Sequence, residues 1–212
     1  MPRPSPVVIR FSLAVCCLLA GLTRGQSAAP DDVSAAISKA SAFLIEQGQQ
    51  PDGGFSPQVG PAVTALALTA LVESGTPTSH PAIEKGLGYL LSFRQPDGGI
   101  CRPGSPVANY ETSIALMAFA ACNTGGRHAD IIAAARQYIT GIQWDDDEGK
   151  TAADPAYGGA GYGSHKRPDL SNTAFLIEAL KSAGAGSEDP AIQRALIFVS
   201  RTQNLEGPHN TL

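Results

Sequence analysis

Apolar positions recur along the chain in two alternating registers, both of helical period. In the first, an isoleucine is followed six positions later by an aromatic residue and then an aliphatic one: Ile37 with Phe43-Leu44, Ile83 with Tyr89-Leu90, Ile132 with Tyr138-Ile139, and Ile192 with Phe198-Val199. The remaining positions are largely polar, so these stretches predict amphipathic helices. Two positions after each isoleucine stand Lys39, Lys85, Ala134 and Arg194, and a long cationic side chain there can lie along the helix edge with its charge in water. Pro81 and Pro190 fall in first turns, where the missing N–H costs nothing. In the second register, Thr64–Leu71, Thr112–Phe119 and Thr173–Leu180 align without gaps and are apolar nearly all round. Helices of that kind are buried on most sides. Alternating amphipathic and apolar helices predict an all-α protein of stacked helical hairpins, with an inner and an outer layer.

The junctions carry a second regularity. Gln50-Pro51-Asp52-Gly53-Gly54-Phe55 returns as Gln95-Pro96-Asp97-Gly98-Gly99-Ile100, 45 residues later, a hairpin-repeat period. Pro-Asp-Gly-Gly predicts a tight turn, and glutamine can satisfy orphan backbone groups at a helix end. Five residues after the four aromatics come Gly48, Arg94, Gln143 and Gln203. From Thr64 to Thr112 is 48 residues and from Thr112 to Thr173 is 61, the longer interval holding an insertion from Trp144 to Pro168.

These residues carry a family resemblance. The pattern Lys/Arg-small-x-x-aromatic-apolar-x-x-x-Gln, followed by Gly-x-aromatic, is best kept in Lys85-Gly86…Tyr89-Leu90 and in Arg194-Ala195…Phe198-Val199…Gln203. It resembles the QW repeat of the prenyltransferase/squalene-oxidase superfamily. Squalene–hopene and oxidosqualene cyclases and the β-subunits of protein prenyltransferases belong to that superfamily. The resemblance runs from about residue 33 to 207 and implies an α/α toroid around a central cavity. Three hairpins and one further outer helix are fewer than a closed toroid needs, so residues 31–212 are expected to form an incomplete, N-terminal part of one.

Composition supports the helical reading: 43% of residues are hydrophobic but only 6% aromatic, and alanine dominates the apolar set. Alanine favours helices, whereas a sandwich would require β-branched and aromatic residues. At the start of the chain, Arg3 and Arg10 precede an apolar run, Phe11 to Leu22, followed by small residues at Thr23, Gly25 and Ser27. Residues 1–27 therefore read as a cleavable export signal, too short for a stable membrane span, and the protein is expected to be secreted or periplasmic. Without Arg3, Arg10 and Arg24 the 15 basic residues fall to 12 against 19 acidic, a net charge of −7. That charge argues against nucleic acid as a partner. Cys101 and Cys122 remain outside the signal, either as a disulfide in an oxidising compartment or as small buried hydrophobes. No Cys-x-x-Cys or His-x-x-x-His occurs, and neither a metal nor another cofactor is expected.

Two segments could carry chemistry. Class II terpenoid cyclases bear Asp-x-Asp-Asp-Thr-Ala at the matching helix start, the central aspartate donating the initiating proton. Here the stretch is Asp169-Leu170-Ser171-Asn172-Thr173-Ala174. A serine hydroxyl cannot protonate an alkene, so the resemblance implies no class II acid in this stretch. Asp169 is the one weak catalytic candidate, and Asp169, Ser171 and Asn172 otherwise read as a helix cap. The zinc set of the prenyltransferases, an Asp, a Cys and a His, has no counterpart motif. In the insertion, Trp144-Asp145-Asp146-Asp147-Glu148-Gly149 lacks the alternation of a calcium loop and reads as solvated. Tyr157-Gly158-Gly159-Ala160-Gly161-Tyr162-Gly163, followed by His165, could stack rings on a ligand at a cavity mouth, or could pack the loop onto its neighbours. The expected ligand-binding set is Tyr157, Tyr162, His165, Asp169 and Asn172. The expected function is binding of an apolar or isoprenoid-like small molecule, or a partner, in the concave cavity, without class II chemistry. The alternative is a cyclase- or prenyltransferase-like enzyme whose catalytic residues lie beyond Leu212.

Overall fold

The computed structural model describes residues 30–163, 167–203 and 206–209. Residues 38–212 form one compact unit, and the unit before it, residues 1–37, contributes the first described residues of the first helix. Among the described residues there are seven α-helices: α1 (Pro30–Phe43), α2 (Pro61–Glu73), α3 (Pro81–Leu91), α4 (Ala108–Ala121), α5 (Ala129–Thr140), α6 (Leu170–Ser182) and α7 (Pro190–Ser200). The apolar helices α2, α4 and α6 lie side by side, with α4 between the other two. The amphipathic helices α3, α5 and α7 pack against them as the outer layer. The structure is thus all-α and built of stacked hairpins.

The two registers explain the layering. Leu68, Leu71, Ile114, Leu116, Phe119, Leu176 and Leu180 of the inner helices are at most 1% exposed, and burying each such side chain contributes about 1.5–3 kcal/mol. The outer helices bury one stripe only, as in Ile83, Leu87 and Leu90 of α3. The small residue after each Lys85/Ala134/Arg194 position is Gly86, Ala135 or Ala195, all buried. A Cβ on Gly86 would come within 2.6 Å of the Leu68 side chain, so this position is small because outer and inner backbones approach closely.

The repeated turn closes identically in both copies. Gly53 and Gly98 N–H donate to the carbonyls of Gln50 and Gln95, the N–H of those glutamines to Gly54 and Gly99, and the Asp52 and Asp97 carboxylates accept from Gly54 and Gly99 N–H. Gly53 and Gly98 have φ of 95° and 94°, which glycine alone adopts without strain. An added Cβ would also collide with the backbone carbonyl of Lys85 or Ala134. Phe55 and Ile100 then enter the core at 3% and 1% exposure. Their N–H groups donate to Thr64 and Thr112 Oγ1, at 2.8 and 3.0 Å, so the threonine that opens each inner segment fastens the turn to its helix.

Two features depart from the sequence expectation. The first is in the opening repeat. Gln49, not Gly48, pairs with Phe55 as Arg94 pairs with Ile100. Leu44–Gly48 forms a π-helical turn, which absorbs one extra residue inside the helix end. The second is the third turn. Gly158 N–H donates to Trp144 O, Trp144 N–H to Gly159 O, and Ala160 N–H to Thr173 Oγ1. Gly158-Gly159-Ala160 is therefore the third copy of Gly53-Gly54-Phe55, again with positive φ (83° at Gly158) and again against an outer-helix carbonyl, that of Arg194. The insertion is confined to Asp145–Tyr157 and does not reach Pro168. Cys101 and Cys122 are free, buried thiols rather than a disulfide.

Candidate functional site

The N-terminal ends of α2, α4 and α6 gather the polar residues of the core. Asp169 is the N-cap of α6: its Oδ1 accepts from Asn172 N–H at 2.9 Å, and Asn172 Nδ2 donates to Asp169 Oδ2 at 2.8 Å. Asn172 is 1% exposed and its Oδ1 has no partner among the described residues, whereas Ser171 is exposed. The position that would hold the central acid therefore carries a solvent-facing hydroxyl, and Asp169 is occupied as a cap.

One repeat earlier, Glu111 precedes Thr112 as Asn172 precedes Thr173. It is 1% exposed and accepts from Arg102 N–H at 3.2 Å and Arg102 Nε at 3.0 Å. Gly60, just ahead of α2, leaves room for this pair: a Cβ there would come within 2.7 Å of Glu111 Oε1 and 2.9 Å of Arg102 Nε. Asn109 is fully buried, donates through Nδ2 to Gly161 O at 2.7 Å and accepts from Ser113 Oγ. Sequence reasoning missed Arg102, Asn109 and Glu111. The gapless alignment of the inner helices carried the signal for Glu111, since it places that residue opposite Asn172. Both of its oxygens are used by one arginine, so the pair anchors the loop before α4.

Tyr157 is 9% exposed and its hydroxyl donates to Asp146 Oδ2 at 3.2 Å. Burial, then the Asp146 contact, raises its pKa. It packs the inserted loop, the second of the two roles that the sequence allowed, and the glycines after it form the third turn. Tyr162 is 50% exposed, and its carbonyl accepts from Asn109 N–H. His165 and residues 1–27, expected from sequence to be an export signal, lie outside the described residues. The acidic run is internally satisfied: Asp145 caps the short turn Asp146–Glu148 in a capping box and pairs with Arg194 at 2.9 Å. Among the described residues no cluster of His, Cys, Asp or Glu could hold a metal ion, and no helix is long and apolar enough to cross a membrane.

Two cavities adjoin the inner helices. A shallow one of about 260 Å³ is lined by Thr69, Glu73, Met117, Ala120, Ala121 and Ser182, from all three inner helices. In the same layer Tyr110 of α4 and Phe175 of α6 meet edge to face at 4.9 Å, both half-buried. The other, about 350 Å³, lies over the second turn and includes Asp97, Cys101, Arg102 and Tyr138. Burial, reinforced by Glu111 and Asp97, pushes the Cys101 thiol up to about 11. Burial beside Cys101 pushes Tyr138 to about 12, so both groups stay protonated at neutral pH.

Inner and outer helices joined by glycine-backed turns, with an aspartate capping the third inner helix, fit a terpenoid-cyclase-type helical fold. Residues 58–211 match the family model described as squalene-hopene cyclase C-terminal domain, and the chain belongs to that family. It is 25% identical over 203 residues to a protein named drimenyl diphosphate synthase from Streptomyces showdoensis, covering 92% of this chain and 35% of that one. It is 26% identical over 185 residues to another of that name from Streptantibioticus cattleyicolor, covering 83% of this chain and 32% of the relative. The chain thus spans about a third of the length of these curated relatives.

Proposed function

We propose that this chain forms part of the wall of a terpenoid-cyclase-like toroid that holds an apolar, isoprenoid-like molecule against its inner helices, and that the acid of class II chemistry is not among Asp169–Ala174. One observation carries this reading: Asp169 is spent as an N-cap while the central position of the motif is an exposed serine. The half-buried Tyr110, Met117 and Phe175 offer apolar and aromatic surface on the inner layer, the kind of lining small apolar ligands favour. The names of the two relatives favour a second reading, that the protein is an enzyme acting on an isoprenoid diphosphate with catalytic residues elsewhere in a longer polypeptide.

Incubation with squalene and, separately, with an isoprenyl diphosphate tests both. The expected outcome is saturable binding, weakened by Met117→Lys, with no cyclic product by mass spectrometry. Asp169→Asn should leave binding intact and change stability little, since an asparagine oxygen caps a helix about as well as an aspartate. A cyclic product from the wild-type chain that disappears in a folded Asp169→Asn variant would overturn the proposal. A product that survives Asp169→Asn would support the enzymatic reading.

A further inference from the structure

The outer helices α3, α5 and α7 do not begin alike. Ala82 N–H donates to His80 Nδ1 and Ala191 N–H to Asp189 Oδ1, so a side chain caps α3 and α7. Helix α5 starts at His128 with no side-chain cap. Instead the His128 ring meets Phe119 of α4 at an angle of 66°, with ring centroids 5.3 Å apart, and Phe119 is fully buried. His128 Nε2 is buried and has no hydrogen-bond partner among the described residues. Around it the start of α5 is tied to its neighbours. His128 N–H donates to Asn123 Oδ1 at 2.8 Å, Arg127 pairs with Glu84 of α3 at 2.6 Å, and the Thr78 and Thr124 hydroxyls lie 3.1 Å apart. The charged and titratable groups about the ring are Arg127, Glu84 and the buried thiol of Cys122 at the end of α4, and Asp130 stands exposed two residues on. This corner belongs to the middle repeat, where α4 has an inner helix on each side.

We propose that His128 is an acid-sensitive latch: in acid its ring takes a proton, and the first turns of α5, with the loop Cys122–His128, come away from α4. A protonated imidazole carries N–H on both nitrogens. Nε2 would then be a buried, charged donor without an acceptor, which is costly to leave unpaired. The positive end of the α5 dipole opposes a cation at the same place. Burial, and after it Arg127, holds the imidazole below its ordinary value of 6.5, with Glu84 opposing. Because the value is lowered in the folded chain, neutral His128 supports the fold fully above the ordinary histidine range. That support is lost as pH falls through the lowered value. The buried residues of α5, Ala135 and Ile139, both lie in its second half, so the uncapped first turns can yield alone. The latch works without the ligand proposed above.

Amide hydrogen exchange of the full chain at about pH 7.5 and about pH 5, joined to an NMR titration of the histidine ring protons, tests the proposal. His128 is expected to titrate below 6.5. The amides of Ile132, Ala133 and Ala134 in α5 should exchange faster than the centre of α4 already at neutral pH. Their protection should fall on the order of tenfold in acid. His128→Phe keeps a ring against Phe119 but cannot take a proton, so most of the acid loss should vanish. His80→Asn, which still caps α3, should leave that loss in place. A His128 ring that titrates at or above 6.5, an acid loss unchanged in His128→Phe or abolished in His80→Asn, or α5 amides that open only together with α4 would each overturn the latch. If His128→Phe does not fold, the ring titration and the exchange of the wild-type chain decide by themselves.

Discussion

At the scale of single residues, the fold depends most on groups that look interchangeable in sequence. Gly98 and Gly104 both have positive φ, 94° and 69°, yet a Cβ on Gly98 would collide with the Ala134 backbone while Gly104 has nothing within 4 Å. Gly98→Ala is expected to lower stability by roughly 2–4 kcal/mol and Gly104→Ala by about 1 kcal/mol, because only the first adds overlap with rigid backbone to the conformational strain. Urea denaturation of the two variants checks the ordering, and equal losses would show that strain alone decides. The Gly-Gly pairs were legible in sequence as turns. That Gly158-Gly159 was one of them was not, because thirteen residues stand between Trp144 and Gly158 where two stand between Gln50 and Gly53. The acid and amide residues were half legible. Asp169 as a cap follows from its place before an apolar run, but the Arg102–Glu111 pair depends on a contact between residues nine apart, from the loop before α4 to its first turn.

Between elements, glutamine is the fastener. Gln143 is 1% exposed; its Nε2 donates to Gly158 O at 2.9 Å and Ala191 O at 3.0 Å, and its Oε1 accepts from Arg194 at 3.3 Å. It therefore joins its own turn to the first turn of α7. Gln49 does the same with Gly53 O and Ala82 O of α3. Gln95, which shares the repeated phrase with Gln50 rather than Gln49, donates to Phe93 O and Cys101 O, both within its own loop. Gln143→Leu is expected to cost roughly 2–4 kcal/mol, since two buried carbonyls lose their donor, and Gln95→Leu less than half as much. Thermal unfolding of both variants would show it, and a larger loss for Gln95→Leu would contradict the assignment. Counting five residues from the aromatic found Gln143 but put Gly48 where Gln49 belongs. A one-residue shift taken up by a π turn leaves no mark in a periodic pattern.

For the molecule as a whole, the arrangement of layers sets where it opens. Helix α4 is covered on both sides by inner neighbours and behind by the outer layer, while α2 and α6 each keep one exposed side. In stacked repeats stability is mostly a sum of neighbour contacts, so the middle outlasts the ends. Native-state hydrogen exchange is expected to be slowest for amides in the centre of α4, with α2 and α6 exchanging earlier. Uniform protection across the three would mean that the array opens only as a unit. The all-α layered architecture was readable from two hydrophobic registers alone, because helix period and burial pattern are set locally. Which polar residues meet was not, because that depends on the offset between neighbouring helices.

The third turn has one more consequence. Its closure uses the same reciprocal backbone pair as the short copies, although Gly159 N–H donates to Ala156 O where they use an aspartate and the chain between is far longer, so spacing is not what defines a unit of this array. What defines it is a small grammar of bonds: a glycine backed against the neighbouring helix and a threonine that receives the next amide, with a glutamine side chain bridging to the next outer helix in the first and third copies. Length between those words is free, and a related chain could carry a loop of any size there and still spell the same fold.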